Sequence, residues 1–199
     1  MGKTIMTGHE TSDTKHRREV ARDDVKTLEL IIFNLGDEEF AADIAQVREI
    51  INRGLITPIP NSPYFIDGMT NVRGDIAIVI GLKERFSLPL NKEAEPKHII
   101  MTERDNNLFG LTVDEVTEVL RIPEEEIRPT PGLVTRIDRI CINGVITLEN
   151  RLIILLDLNK VLSEDELAEL SKIRIKHSAT ADTAKKEPEM TQITAQSAE

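Results

Sequence analysis

Two stretches of this chain repeat one another. Residues 40–51 read FAADIAQVREII and residues 109–120 read FGLTVDEVTEVL. The offset is 109 − 40 = 69, and it holds through Ile44/Val113, Val47/Val116, Glu49/Glu118, Ile50/Val119 and Ile51/Leu120. Pro60 and Pro129 fall in the same register. Farther on, Gly68 aligns with Gly144 at an offset of 144 − 68 = 76, which pairs Val72 with Leu148, residues 76–80 with 152–156, and Leu82 with Leu158. The difference, 76 − 69 = 7, predicts an insertion in the second copy between Pro131 and Ile142. A duplicated chain must build two similar subdomains, and copies of roughly 50–65 residues are marginal alone. They are therefore expected to pack face to face and leave a groove between them, a favoured place for binding.

Each copy reads as strands. Residues 27–35 (TLELIIFNL) and 39–44 (EFAADI) flank Gly36-Asp37-Glu38, a hairpin loop. Residues 98–103 (HIIMTE) and 108–113 (LFGLTV) flank the polar connection 104–107. A third hairpin joins 144–148 (GVITL) to 152–158 (LIILLDL) through Glu149-Asn150-Arg151. Pro58, Pro60 and Pro63 break the first copy where Pro123, Pro129 and Pro131 break the second. With five Phe, one Tyr and no Trp, the core must come from Ile, Leu and Val, and β-branched residues favour sheet.

One helix is signalled, at 163–176. Ser163-Glu164-Asp165-Glu166 is a capping box, and Leu162 and Leu167 stand at the staple positions around it. Leu167, Leu170 and Ile173 recur at helical spacing, so one face is expected to cover a sheet edge or barrel end. Residues 1–26 and 177–199 are polar, charged and aperiodic, and are expected to be disordered arms.

Composition removes several classes of function. A net charge of −10 opposes a nucleic-acid or anionic-membrane surface, both of which want clustered Lys and Arg. Cys141 is alone, which leaves neither a disulfide framework nor a thiolate zinc site, and its apolar flanks suggest a buried thiol. Residues 1–26 hold no apolar signal region, and the longest apolar run, 76–82, is far short of the roughly 20 residues of a membrane helix. The chain is expected to be soluble and cytoplasmic, which makes Arg73-Gly74-Asp75 a chance match to an adhesion tripeptide.

Nothing assembles into a catalytic set. No two glycines are spaced as GxG, and no GxxxxGK[ST] is present. His9 and His16 lie in the first arm, and His177 is explained by a helix C-terminus. His98 begins a strand as an ordinary imidazole. Glu124-Glu125-Glu126 after Pro123 is expected to be a short helical turn facing water, since successive carboxylates point in different directions. No catalytic residue, cofactor or metal is expected.

Taken in order, LGDEEFAADI (35–44), V-R-E-I (47–50) and YFIDGMTNVRG (64–74), then FGLTVDEVTEVLRIPEEEIRP (109–129) and INGVITLENRLIILLDLNKVL (142–162), resemble the CheW-type chemotaxis coupling proteins. The resemblance covers nearly all of residues 27–172. It implies an all-β fold of two SH3-like five-stranded β-barrels, at 27–89 and 97–162 within a CheW-like domain at 27–162, followed by the C-terminal α-helix. It implies no enzyme activity but an adaptor that links the cytoplasmic tips of methyl-accepting chemoreceptors to the regulatory domain of the histidine kinase CheA. Such an adaptor helps build the receptor–kinase array and is recruited to it through protein contacts. The family commonly has a proline and an aspartate in the strand after the arginine; residues 77–82 have neither, and Gly81 is expected to mark a bulge or a close approach.

Carried onto this sequence, the receptor-facing candidates are Ile44, Val47, Glu49 and Arg73, with Val113 from the second copy. No residue is assigned to the kinase. For Ile44, Val47 and Val113, strand alternation accommodates a core position equally well. Arg73 beside apolar strands needs its donors satisfied, and Glu49 is the expected partner. Arg73 aligns with Glu149, so this charge pair is expected only in the first copy. Two other readings stand beside the adaptor: a regulatory module of another signalling protein (a kinase domain or a CheV-like chain with a receiver), and a small-ligand enzyme or sensor using the groove. The chain is too short for a receiver after Leu162.

Overall fold

A computed structural model describes residues 26–89, 95–130 and 139–170. Among them are ten strands: β1 (Thr27–Leu35), β2 (Glu38–Asp43), β3 (Glu49–Asn52), β4 (Ile66–Val72), β5 (Asp75–Gly81), β6 (His98–Arg104), β7 (Asn107–Val113), β8 (Glu115–Pro123), β9 (Ile142–Leu148) and β10 (Arg151–Leu156). A short helix, α1 (Leu82–Arg85), follows β5, and residues 164–170 form the C-terminal helix. Apart from Lys26, the arms expected at 1–26 and 177–199 lie outside the described residues, as does the rest of the helix expected to reach 176.

The strands form two five-stranded sheets, β8-β1-β2-β10-β9 and β3-β6-β7-β5-β4. They are mostly antiparallel; β2/β10 and β5/β7 are the parallel pairs. The duplication is written into their registers. Ile31 pairs with Val119 in one sheet as Ile100 pairs with Ile50 in the other, and Ile154 faces Phe40 as Ile78 faces Phe109. Each sheet therefore joins the first hairpin of one copy to the last three strands of the other. The expected division at 27–89 and 97–162 does not follow the sheets, because the two copies have exchanged hairpins. Nor do the hydrogen-bond ladders close into barrels. Among the described residues, isolated bridges at Thr57/Met69 and Arg128/Val145 are what link each first edge strand's continuation to the other edge.

Those bridges also correct the alignment. Thr57 is bridged beside Gly68 as Arg128 is beside Gly144, so the local offset is 128 − 57 = 71. Pro129 thus matches Pro58, not Pro60. Two of the seven inserted residues (71 − 69) enter before Ile127, and five (76 − 71) enter between Arg128 and Gly144.

Turn chemistry explains the hairpins. Arg73-Gly74, Asp105-Asn106 and Glu149-Asn150 each place two successive residues at positive φ between paired strands, as tight right-twisted hairpins require. Gly36 supplies the positive φ between β1 and β2. Two faces of the same strands then feed different cores. Leu30, Ile32, Ile146 and Ile153 fill the inside of one sheet, and Val72, Val79, Ile99 and Met101 fill the other. Ile31, Phe33, Phe40, Ile78, Ile80, Ile100 and Phe109 pack between the sheets. The uncharged run 76–82 follows from this: β5 buries both faces. Each fully buried Ile, Leu, Val or Phe contributes roughly 1.5–3 kcal/mol.

The helix cap forms as expected. The Ser163 N–H donates to Glu166 Oε2 at 2.8 Å and the Glu166 N–H donates to Ser163 Oγ at 3.3 Å, with Leu162, Leu167 and Leu170 buried. Cys141 is buried, and its thiol donates to the Lys160 carbonyl. Glu124–Glu126 forms a 3₁₀ turn after Pro123.

Candidate docking surface

The segment between β2 and β3 is held on every side. The Asp43 carboxylate accepts from the Ala45 N–H at 2.9 Å and starts a 3₁₀ turn, Ile44–Gln46. The Gln46 amide bridges to the other copy: its Nε2 donates to Asp157 Oδ1 at 2.8 Å, and its Oε1 accepts from the Leu158 N–H at 2.9 Å. The Thr102 hydroxyl donates to the Gln46 carbonyl, and the Arg48 guanidinium reaches Glu103 at 2.7 Å. Ile44, Val47 and Glu49 are thereby presented on a fixed backbone.

Their environments differ. Ile44 is 37% exposed, an apolar side chain open to solvent. Val47 is partly buried and leans on the core between the sheets. Val113, on β7, is 0% exposed within that core. It cannot touch a partner, so the structure removes it from the docking surface; alternation on a strand buried on both faces gave no outward position to fill.

Arg73 does reach Glu49. Its Nη2 lies 2.9 Å from Glu49 Oε2, with the arginine side chain 82% exposed and the glutamate 23%. Arg73 sits at φ 55°, a left-handed conformation that non-glycine residues adopt at some cost. The turn is braced by the Gly74 N–H, which donates to Asn71 Oδ1 at 2.8 Å. Beside the pair, Arg48, Val72, Asp75 and Leu108 help line an open depression of about 370 Å³. Arg48 also lines a second, of about 320 Å³, with Ala45, Gln46 and Val47. The two depressions share Arg48, and Ile44 precedes the Ala45 that lines the second.

The charge pair is not confined to the first copy. Glu118 accepts from Arg151 Nη2 at 2.8 Å, and Arg151 Nε donates to Glu39 Oε2 at 3.0 Å. The arginine comes from the far side of the turn: Arg73 precedes its β-turn glycine, whereas Arg151 follows Glu149-Asn150. Column alignment hides this because Arg151 aligns with Asp75 (151 − 75 = 76). The usable signal was that the two turns carry opposite charges on opposite flanks.

Other candidates have structural roles. The His98 Nδ1 accepts from the Val116 N–H at 3.1 Å, which ties β6 to β8. Gly81 marks a close approach, as expected: a Cβ there would stand 2.2 Å from Glu84 Oε2. Among the described residues no group of three or more His, Cys, Asp or Glu is placed to hold a metal, and no helix is long and apolar enough to cross a membrane.

Comparison with known proteins gives this surface its context. Residues 29–166 match the CheW-like domain family. The chemotaxis protein CheW of Klebsiella aerogenes is 35% identical over 149 residues, which covers 75% of this chain and 90% of that protein. The CheW of Bacillus subtilis is 31% identical over 143 residues, covering 71% and 92%. The crystal structure of the scaffolding protein TtCheW from Thermoanaerobacter tengcongensis superposes with a TM-score of 0.64 at 34% identity, over 75% of this chain and 94% of that one. On the match over residues 29–166 and the likeness to these relatives, the chain belongs to the CheW family, the non-catalytic adaptors that couple chemoreceptors to the CheA kinase in chemotaxis signalling.

Proposed function

We propose that this chain docks the cytoplasmic tips of methyl-accepting chemoreceptors on the surface that carries Ile44, Val47, Glu49 and Arg73, and binds the regulatory domain of CheA elsewhere on its surface. In this reading each sheet, its edges drawn together by one isolated bridge, counts as an SH3-like barrel, and the protein is cytoplasmic and held at membrane arrays by these two contacts alone. The Arg73–Glu49 pair carries the proposal. An arginine is kept in a left-handed turn position that asparagine or glycine would fill with less strain, and it projects into solvent while paired to a half-buried glutamate. A receptor tip is a helical hairpin, and a helix laid in a groove needs an apolar anchor flanked by a directional polar group. Ile44 supplies the first and the guanidinium the second.

The test is receptor-dependent CheA autophosphorylation with Arg73→Asn. Asparagine favours the left-handed turn, so the fold should be unchanged in thermal unfolding while kinase activation is lost. Full activation by Arg73→Asn would refute the docking role, and a destabilised variant would reassign Arg73 to the turn.

A further inference from the structure

The two copies also differ in charge at the bulge before each hairpin turn. β4 and β9 carry the same β-bulge: the ladder passes from Ile66 to Gly68 opposite Ile80 and Val79, and from Ile142 to Gly144 opposite Leu156 and Leu155. The residues passed over are Asp67 and its equivalent Asn143 (143 − 67 = 76). A bulge re-aims its extra side chain. Asn143 is exposed, whereas Asp67 is half-buried and lies over the end of β5.

The position beneath it differs too. In the second copy it is Asp157, whose carboxylate takes the Asn159 N–H and the Gln46 amide and pairs with Lys160 at 3.0 Å. In the first copy it is Gly81, and two carboxyl groups occupy the free volume. Glu84 Oε2 and Asp67 Oδ1 lie 2.2 and 2.9 Å from where a Cβ would stand, so the two oxygens are no farther apart than the sum of those distances.

The surrounding groups do not neutralise them. On β7 the facing group is the Thr112 hydroxyl, and β5 offers backbone at Ile80 and Gly81. On α1, Lys83 is engaged by Asp114 and Arg85 by Glu166. Arg53, after β3, is 3.9 Å from Glu95 and acts on Asp67 only through space. Among the described residues none of these cations is in ion-pair contact with Asp67 or Glu84. Thr112 is shared between two acceptors. Its Oγ1 is 3.1 Å from Asp67 Oδ2 and 3.3 Å from the Ile80 carbonyl oxygen, two acceptors for one hydroxyl proton. The hydroxyl donates to both as the chain stands, whereas a protonated Asp67 would donate to Thr112 and leave the Thr112 proton to Ile80 alone. Burial pushes the Asp67 carboxyl upward from its ordinary value and the Glu84 charge adds to this, against smaller opposing pulls from Thr112 and Arg53.

Helix α1 connects this place to the C-terminal helix through three successive residues. Lys83 holds Asp114, Glu84 shares the space over Gly81 with Asp67, and Arg85 donates to the Val161 carbonyl at 2.9 Å and to Glu166 at 3.0 Å, its guanidinium 4.8 Å from the Phe65 ring centroid. We propose that Asp67 is a proton-operated switch: neutral, it lets Glu84 pack over Gly81; ionised, it repels Glu84, shifts α1 and loosens the grip of Arg85 on the C-terminal helix. The switch is independent of the receptor surface and would make the helix cap respond to pH.

The experiment is carboxyl and amide NMR on the full chain across about pH 4 to pH 9. The Asp67 carboxyl should titrate above 3.8, its ordinary value, and amide protection in residues 164–170 should fall severalfold with the same midpoint. Asp67→Asn, the residue already used at 143, should abolish that fall. Glu84→Gln should move the Asp67 midpoint downward. An Asp67 that titrates at or below its ordinary value would overturn the proposal. So would helix protection that still falls at the wild-type midpoint in Asp67→Asn, or an Asp67 midpoint unmoved by Glu84→Gln.

Discussion

Lys83→Met tests the most deeply buried charge among the described residues. Lys83 Nζ lies 2.7 Å from Asp114 Oδ1, with the two side chains 5% and 15% exposed. The approach is an ion-pair contact outside hydrogen-bond alignment, so charge attraction carries it. Asp114 Oδ2 takes the Gly36 N–H at 2.7 Å, and the Asp114 N–H donates to the Asn34 carbonyl at 3.1 Å. The pair therefore joins α1, the β1–β2 turn and the link from β7 to β8. Methionine preserves the apolar stem but strands the carboxylate with one backbone donor. Removing one member of a buried pair costs about 3–5 kcal/mol, most of it from the charge left behind. Asp114→Asn should cost a similar amount by stranding the ammonium. The double variant, with neither charge, should recover most of the loss. In urea, where m is about 2–3 kcal/mol/M for a domain of this size, a 3 kcal/mol loss lowers the midpoint by roughly 1–1.5 M. Coincident far-UV circular dichroism and fluorescence transitions would license the two-state treatment. A Lys83→Met cost below about 1 kcal/mol, or a double variant as unstable as the two single losses added, would refute the reasoning.

Gly68→Ala should destabilise by about 3 kcal/mol or more in the same assay, since its Cβ would stand 2.2 Å from the Thr57 carbonyl oxygen at φ +147° and break the paired Thr57/Met69 hydrogen bonds. Gly36→Ala meets no atom within 4 Å and should show only the smaller cost of its positive φ. Ser163→Ala removes the cap of the C-terminal helix and should cost about 1 kcal/mol, read as weakened amide protection in residues 164–170. The folded-state pKa of Asp67 is raised by burial first and by Glu84 second, so the folded chain binds this proton more tightly than the unfolded chain. Stability should therefore fall as pH rises from about 4 through the raised value and level off above it. Asp67→Asn should flatten that slope and raise Tm at neutral pH, and a slope unchanged by the substitution would refute the assignment.

The exchanged hairpins show where reading from sequence stops. The registers of Ile31 with Val119 and Ile100 with Ile50 follow the 69-residue offset, so the repeat was legible to the residue in these strands, though not at Pro129. Which copy's strands each hairpin joins was not. A hairpin presents the same edge donors and acceptors to either set of partners, and the copies are similar enough to serve each other. The same limit applied to Val113. Period-two alternation separates two faces of a strand, but β7 buries both, so no face of it was the outer one.

The candidate site divides along the same line. The Glu49–Arg73 pair could be argued from the sequence, because an arginine in a turn needs a partner and β3, preceding in the chain, offered one acid. The Glu118–Arg151 pair could not, because side-chain reach across a turn does not respect alignment columns. By itself, the sequence determined the duplication, the hairpin turns, the helix cap and the family, all of which rest on local spacing and residue type. Only the tertiary structure decided the exchange of hairpins, the burial of Val113 and the meeting of Asp67 with Glu84 over Gly81. Those depend on free volume and edge pairing between segments far apart in the chain, which no local pattern encodes.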